Sequence, residues 1–297
     1  MIVEQFKAVS PELIENESMK NHTTFKIGGL ADMYVSVKSK DELSELIKLA
    51  KKTNTPFMVI GNGSNLLISD KGISGLVIEI GNGMSDYKIN GNLITAQAGI
   101  KLSKLASVAL NASLSGMEEI SGIPGTLGGG IYMNAGAYGG EIKNIIKTVT
   151  YIDDNGEIKS IDAKDCGFGY RKSIFTDGGK YIISAELELI EGNKTDISEK
   201  MTDYSKRRRD KQPLTFPSAG STFKRPEGYF AGALIQEAGL KGYKSGGAMI
   251  SDLHAGFVIN CGNATAQDVL DVVEHAQKTV LDKFGVMLEP EVRIIGR

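Results

Sequence analysis

The sequence predicts an α+β protein of three lobes, two consecutive ones at residues 1–83 and 84–204 and a third, also α+β, at 205–297. Three observations support this. Strand and helix signals alternate through the first 80 residues, a glycine-dense loop falls in each of the first two lobes, and Pro213 and Pro217 bracket a linker before the pattern resumes. The chain, at 297 residues, also exceeds the roughly 250 that a single core ordinarily supports.

Ser39, followed three residues on by Glu42, is a capping box, and Leu43, Leu46, Ile47 and Ala50 recur at helical spacing, so a helix ends near Thr53. Pro56 to Ile60 is a short apolar strand entering GNGSNLL, and Leu76 to Ile80 is another, rich in β-branched residues. Ile94 to Ala98 is a strand and Leu102 to Leu110 a helix; the stretch GIPGTLGGGIYMNAGAYGGE, Gly122 to Glu141, reads as loop. Val149 to Ile161 is a hairpin turning at Asp154-Asn155-Gly156, because Asn-Gly accepts the positive φ of such turns. Tyr181 to Ile190 alternates as a half-buried strand, and a polar segment at Glu191 to Thr195 separates it from a helix, Ile197 to Asp210, carrying Lys206-Arg207-Arg208-Arg209. Beyond the linker come a helix at Phe230 to Ala238, strands near Ala248 and Phe257, a long helix opened by Thr265 with Asp268 three residues on, and a closing strand, Val286 to Ile295.

Composition excludes several classes. With 34 basic and 36 acidic residues the net charge is −2, so no global field attracts nucleic acid or membrane, and an anionic ligand must be held by local groups. No apolar run approaches the about 18 residues of a membrane span. The opening MIVEQFKAVSPELIENESMK lacks the basic start and apolar stretch of a secretory signal, so a cytoplasmic location is expected. Cys166 and Cys261 stand far apart and are read as two buried free thiols, not a disulfide framework or a metal cage. His22, His254 and His275 form no nucleophile-elbow or metal-ligand pattern with a carboxylate, so neither a hydrolase triad nor a metal is expected.

The glycines are the unusual feature. GNGSNLL follows a strand, and its small residues leave backbone N–H groups able to converge on a phosphate. It is no Rossmann fingerprint, because Leu66 replaces the third glycine and Leu66-Leu67-Ile68-Ser69 looks like strand, not helix. The second loop holds eight glycines between positions 122 and 140, and so flexible a stretch is costly to order unless backbone must approach something flat or charged. Two such loops in adjacent lobes suggest one long dinucleotide cofactor.

NHTTFKIGG at Asn21 to Gly29, VIGNGSNLL, the second glycine loop, YRKSIF at Tyr170 to Phe175, PSAGSTFKRP at Pro217 to Pro226 and LEPEVRIIG at Leu288 to Gly296 together resemble the UDP-N-acetylenolpyruvoylglucosamine reductases, in the family's order and over almost the whole chain. The resemblance implies two lobes of the vanillyl-alcohol-oxidase type gripping FAD, and a third binding substrate. It implies cofactor contacts from Gly61, Asn62, Gly63, Ser64, Asn65 and Leu66 in the first loop. From the second it implies Gly122, Pro124, Gly125, Thr126, Gly128 and Gly129, then Asn134, Gly136 and Ala137. Neither loop contains a histidine, so FAD is expected to be held without a covalent bond. The family's first type inserts a substrate-covering tyrosine after YRxSxF; here Ile190 passes through a few polar residues into the helix at Ile197, which resembles the second type, and no lid tyrosine is assigned.

By motif the resemblance places Arg171, Ser221 and Glu291 at the chemistry, and Tyr170, Lys211 and Arg225 at the substrate. The implied reaction is NADPH-dependent reduction of UDP-N-acetylglucosamine enolpyruvate to UDP-N-acetylmuramate for peptidoglycan synthesis. NADPH and the sugar nucleotide are expected to share one site; NADH use stays open, and a monomer is expected. Hydride delivery to the vinyl carbon pushes charge toward the carboxylate, where Arg171 and Glu291 stabilise it, and Ser221 then protonates the adjacent carbon. Glu289, Glu291 and Arg293 are expected on one face of the last strand. The run Arg207 to Arg209 is read as a solvated helix end with one member reaching FAD, while His254, Gln236 and Asn260 are further pocket candidates. Two rivals stay open: an oxygen-using flavin oxidase of a sugar or lactone, and a non-enzymatic glycine-rich binding module. NADPH consumption without oxygen, and a yellow preparation, separate them.

Overall fold

The computed structural model describes residues 2–297, which pack as two compact units. The first takes in the chain up to Ile14, Met33–Asn62 and Gly75–Arg208; the second takes in Glu15–Asp32, Gly63–Ser74 and Arg209–Arg297. Among the described residues no helix is long and apolar enough to cross a membrane.

In the first unit, α1 (Ile2–Val9) inserts Phe6, fully buried, into the core. Val3 and Val9 pack beside it at helical spacing, but eight residues are too few for that spacing to establish a helix. Helix α2 (Lys40–Lys52) begins where expected: Ser39 Oγ accepts the Glu42 N–H at 3.1 Å, while the Glu42 carboxylate accepts the Lys38 N–H at 2.8 Å and the Ser10 hydroxyl at 2.6 Å. Leu43, Leu46 and Ile47 are fully buried, each contributing roughly 1.5–3 kcal/mol by leaving water. The strand Phe57–Ile60 runs parallel to Leu76–Glu79, the part of the strand Ile73–Glu79 that lies in this unit.

The second sheet of this unit is antiparallel at every pairing and runs Ile158–Asp162, Ile146–Asp153, Lys180–Glu188, Leu93–Gln97, Tyr87–Asn90 across its width. Its hairpin turns at the expected residues, with the positive φ taken by Gly156, at +76°, and not by Asn155, and with the Asp153 carboxylate accepting the N–H groups of Asn155 and Glu157 at 2.9 and 3.0 Å. Helix α3 (Leu102–Asn111) stands where expected. A further helix, α4 (Leu127–Tyr132), lies inside the glycine stretch that reads as loop, against the strand Lys180–Glu188. Helix α5 (Lys194–Lys211) starts earlier than Ile197, because the Asn193 side chain accepts the Thr195 and Asp196 N–H groups at 2.8 and 3.3 Å and so caps it.

The second unit packs α6 (Ala231–Glu237) against α7 (Ala266–Phe284), with α7 on a three-stranded antiparallel sheet, Lys244–Ser245, Ala248–Ile250 and Val258–Asn260. The capping box of α7 is complete: Thr265 Oγ1 accepts the Asp268 N–H and Asp268 accepts the Thr265 N–H, both at 3.0 Å. Asp70 supplies acceptors for the next donors, Ala266 and Gln267, at 2.9 and 3.1 Å. The closing strand is shorter than its apolar pattern suggests, Arg293–Ile295, and pairs in parallel with Leu66–Ile68. Upstream, Pro290 has no N–H to give a ladder, and pairing falls to the isolated bridge between Phe223 and Pro290. Of the two free cysteines, Cys166 is buried, and burial, reinforced by Asp165 and Asp162, pushes its thiol up to about 11. Cys261 is exposed, a correction to the expected buried thiol, because it follows the last sheet strand into a surface turn.

Candidate active site

The first glycine loop leaves the strand Phe57–Ile60 at Gly61. A Cβ there would run into Thr126 Oγ1 and force that side chain to move, while Gly63, at φ +59°, would run into the His22 carbonyl and admits only glycine. Asn62 Nδ2 donates to the Pro124 carbonyl at 2.6 Å, which ties this loop to the second one. Further on, Asn65 Nδ2 donates to the Glu291 carbonyl at 3.1 Å and its own carbonyl accepts the Arg293 N–H at 3.0 Å.

The second loop is held from below. Glu118, buried just ahead of it, accepts the Ser115 hydroxyl and the Gly116 N–H, both at 2.6 Å, and its carbonyl accepts the Ser121 hydroxyl at 2.7 Å. Burial alone would raise its pKa, but those donors, with Lys200 nearby, outweigh it and hold the carboxyl below the usual glutamate range. A depressed folded pKa gives stability that is complete above the unfolded value of about 4.3 and is lost as pH falls through the folded one. Glu118→Gln is therefore expected to lower stability by roughly 1.5–3 kcal/mol near pH 7, with the gap from wild type closing below about pH 4. Denaturant melts at both pH values check it; a gap that stays constant with pH would contradict it.

Thr126 caps α4, its Oγ1 accepting the Gly129 N–H at 3.4 Å. Three glycines then follow with different reasons. A Cβ on Gly128 would stand 2.9 Å from Ala98 Cβ, and one on Gly130 3.0 Å from Ile142 Cδ1, so the core excludes side chains at both. Gly129 is exposed and would meet only Thr126 Oγ1, at 3.5 Å. Glycine inside a helix costs about 1 kcal/mol relative to alanine, and the protein's own packing does not require it here. Bare backbone beside Gly122, Pro124 and Gly129 fits a flat dinucleotide laid against this loop.

The loop ends in a tight hairpin, Gly136 opposite Glu141 and Ala137 opposite Gly140, turning through Tyr138 and Gly139 at φ +52° and +91°. Asn134, expected at the cofactor, is fully buried with φ +43°, and its amide is engaged elsewhere. Its Nδ2 donates to the Gly169 carbonyl at 2.9 Å and to Glu141 at 3.3 Å, and its Oδ1 accepts the Lys143 N–H at 3.3 Å. Gly169 is the base of the turn closed by the Gly169–Lys172 bridge, whose tip is Tyr170 and Arg171. Behind the tip, buried Ser173 donates to the Tyr132 carbonyl at 2.8 Å and buried Phe175 packs edge-on against Tyr151. Asn134, Ser173 and Phe175 thus brace a turn on which Arg171 adopts φ +55°, a strained conformation for a long side chain. Its Nη2 donates to the Gly136 carbonyl at 3.4 Å and its guanidinium lies 5.2 Å from the Tyr170 ring centre. Glu141 is held below the usual glutamate range chiefly by its Lys143 partner, with the Asn134 amide and, last, the Arg171 charge adding to it.

In the second unit the segments carrying Ser221 and Glu291 are laced together. Thr222 is the knot: its N–H donates to the Gly256 carbonyl at 2.8 Å, its Oγ1 accepts the Val258 N–H at 2.9 Å, and its carbonyl accepts the Glu291 N–H at 2.8 Å. The Lys224 N–H donates to the Glu289 carbonyl at 2.8 Å, and the two side chains pair at the same distance. Ser221 is exposed after Gly220, which takes φ +78°, and Glu291 is half-buried. Arg225 lies 4.0 Å over the Phe230 ring, and Lys211 is exposed at the end of α5. Tyr170 and Arg171 thus belong to the first unit; Ser221, Glu291, Lys211 and Arg225 belong to the second. Of the further candidates, Asn260 is buried and bonded to the Phe25 carbonyl and to the Gly262 and Ala264 N–H groups, His254 accepts the Gly256 N–H, and Gln236 is exposed on α6. The sequence reading did not single out Tyr138 and Tyr204, stacked at 4.8 Å; no local pattern joins residues that far apart.

Residues 31–162 match the FAD binding domain family. A glucose oxidase variant of Phl p 4 shares the fold alone, with TM-score 0.52 and 13% identity over 65% of this chain and 44% of its own. The protein is thus a flavoprotein of the vanillyl-alcohol-oxidase fold, with FAD as its cofactor. Residues 212–295 match the C-terminal domain of UDP-N-acetylenolpyruvoylglucosamine reductase. The reductase of that name from Caldanaerobacter subterraneus subsp. tengcongensis is 48% identical over 100% of this chain and 98% of its own length. The solved UDP-N-acetylenolpyruvylglucosamine reductase from Thermus caldophilus superposes with TM-score 0.82 at 35% identity, over 95% of this chain and 98% of that one. The chain belongs to the UDP-N-acetylenolpyruvoylglucosamine reductase family.

Proposed function

We propose that the protein reduces UDP-N-acetylglucosamine enolpyruvate to UDP-N-acetylmuramate with NADPH, in peptidoglycan precursor synthesis. Family membership supports the reaction class, and the observation that carries the residue roles is the lacing of Thr222 to Glu291, which holds a hydroxyl and a carboxyl on adjoining segments. FAD, when bound by the two glycine loops, would supply the two-electron chemistry between the nicotinamide and the vinyl carbon of the substrate. Charge then accumulates toward the substrate carboxylate as an enolate-like species. Arg171 offers a planar cation for it, and Glu291 a hydrogen bond. Ser221 donates its proton to the neighbouring carbon, and solvent restores the hydroxyl. Lys211 and Arg225 hold the substrate's diphosphate, Lys211 as a point charge and Arg225 as a fork stiffened by its stack on Phe230.

An anaerobic titration tests the reading. NADPH is expected to bleach the yellow protein, and the enolpyruvyl sugar nucleotide then to restore the colour stoichiometrically without oxygen. Recovery of colour only on admitting oxygen would make the protein an oxidase.

A further inference from the structure

NHTTFKIGG, residues 21–29, is the one family motif that carries none of the residues placed at the cofactor or the substrate, and it lies outside both matched regions, 31–162 and 212–295. The segment is nonetheless closely held. The Glu17 carboxylate accepts Asn21 Nδ2 at 3.1 Å and His22 Nε2 at 2.9 Å, and buried Thr23 donates its hydroxyl to the Ile27 carbonyl at 3.2 Å. Next to it, half-buried Thr24 bonds in two directions. Its N–H donates to the Gly63 carbonyl at 3.3 Å, and its hydroxyl donates to the Ser218 carbonyl at 2.7 Å. All three residues belong to the second unit.

Each bond fixes something the site uses. A trans peptide sets its C=O and N–H in opposite directions, so the Gly63 carbonyl held by Thr24 leaves the Ser64 N–H of the first glycine loop directed away from this segment, where it can meet an anion. Ser218 stands three residues before Ser221. Its neighbour Pro217 is held as well, its carbonyl accepting the Asn260 N–H at 2.9 Å, while Asn260 Nδ2 donates to the Phe25 carbonyl at 3.1 Å. Between Ser218 and Ser221, Gly220 is uncrowded and lends no stiffness of its own. The hydroxyl of Ser221 is thus placed from one side by Thr222 and from the other by the bond from Thr24 to Ser218.

We propose that Thr24 is a positioning residue for the reduction: its hydroxyl holds the segment bearing Ser221 in register with the first glycine loop, which its N–H grips. This role rests on the proposed reaction and on Ser221 as its proton donor.

The test removes the hydroxyl and keeps the N–H. In stopped-flow runs Thr24→Val is expected to slow the half-reaction with the enolpyruvyl sugar nucleotide at least about tenfold, because a small misplacement of a reacting group is costly. Bleaching by NADPH, and the Kd of the deflavinated full chain for FAD, are expected to stay within about twofold of wild type. Thr24→Ser, which restores the donor, is expected to recover the rate. Thr24→Val combined with Ser221→Ala is expected to be no slower than Ser221→Ala alone, since the hydroxyl being positioned is then gone. An unchanged half-reaction in Thr24→Val, equal slowing of both half-reactions, or losses that multiply in the double variant overturns the proposal. If Thr24→Val does not fold, Thr24→Ala, which sets no methyl against the Ser218 carbonyl, is held to the same outcomes. Wild-type protein that the sugar nucleotide cannot reoxidise would overturn the proposed reaction itself, a separate outcome seen without any variant.

Discussion

Ser221→Ala is expected to leave flavin bleaching by NADPH near the wild-type rate while turnover of the enolpyruvyl sugar nucleotide falls at least about a hundredfold. The two half-reactions make different demands. Bleaching by NADPH would require no donor on the substrate side. On the proposed reaction, reoxidation by substrate would leave an enolate-like species that must gain a proton at carbon before product departs, and a positioned donor contributes about 10²–10⁴ in rate. Ser221 is exposed, so its hydroxyl is not consumed by packing, and Thr222 rather than Ser221 makes the bonds that hold the segment. The substitution therefore spares the fold. Stopped-flow measurement of each half-reaction decides the matter, and equal slowing of both would mean that Ser221 supports the flavin or the fold.

Arg171→Gly is expected to reduce turnover by about 10²–10³ without lowering thermal stability. Arginine at φ +55° carries strain of the order of 1–3 kcal/mol that glycine does not, so the substitution removes a cost to the fold along with the cation. A purely structural arginine would behave the opposite way, losing stability and activity together. Turnover measured beside a thermal melt separates the cases: a lower Tm with a matching loss of activity would refute the assignment. Arg171→Lys, which keeps a charge without the planar fork, is expected to fall between.

The helices and turns that could be read in advance are those whose cause lies within one or two turns of chain. Ser39 and Glu42 start α2, Thr265 and Asp268 start α7, and Gly156 turns the hairpin, because capping and positive φ act over a few residues. Where the cause was remote, local reading failed. Helix α4 carries no local helix signal, because three glycines are poor helix formers; Gly128 and Gly130 lie close against Ala98, Ile142 and Leu102, contacts that no local pattern encodes. The last strand is shorter than its apolar pattern because that pattern continues through Pro290, which has no N–H for a ladder.

The candidate site divides the same way. The sequence by itself determined the family, the two glycine loops and the tips bearing Tyr170, Arg171, Ser221 and Glu291, since each motif is contiguous. Only the tertiary structure decided what those residues lean on. Asn134 looks from its neighbours like a cofactor amide, yet its Nδ2 donates to Gly169, 35 residues away, and braces the turn under Arg171. Arg208 looks like one solvated cation in a run of four, yet the rotation of α5 turns it toward Gly122 while Arg207 faces Asp203. Hydrogen-bond partners and desolvation depend on which surfaces the fold brings together, and no spacing along the chain encodes that.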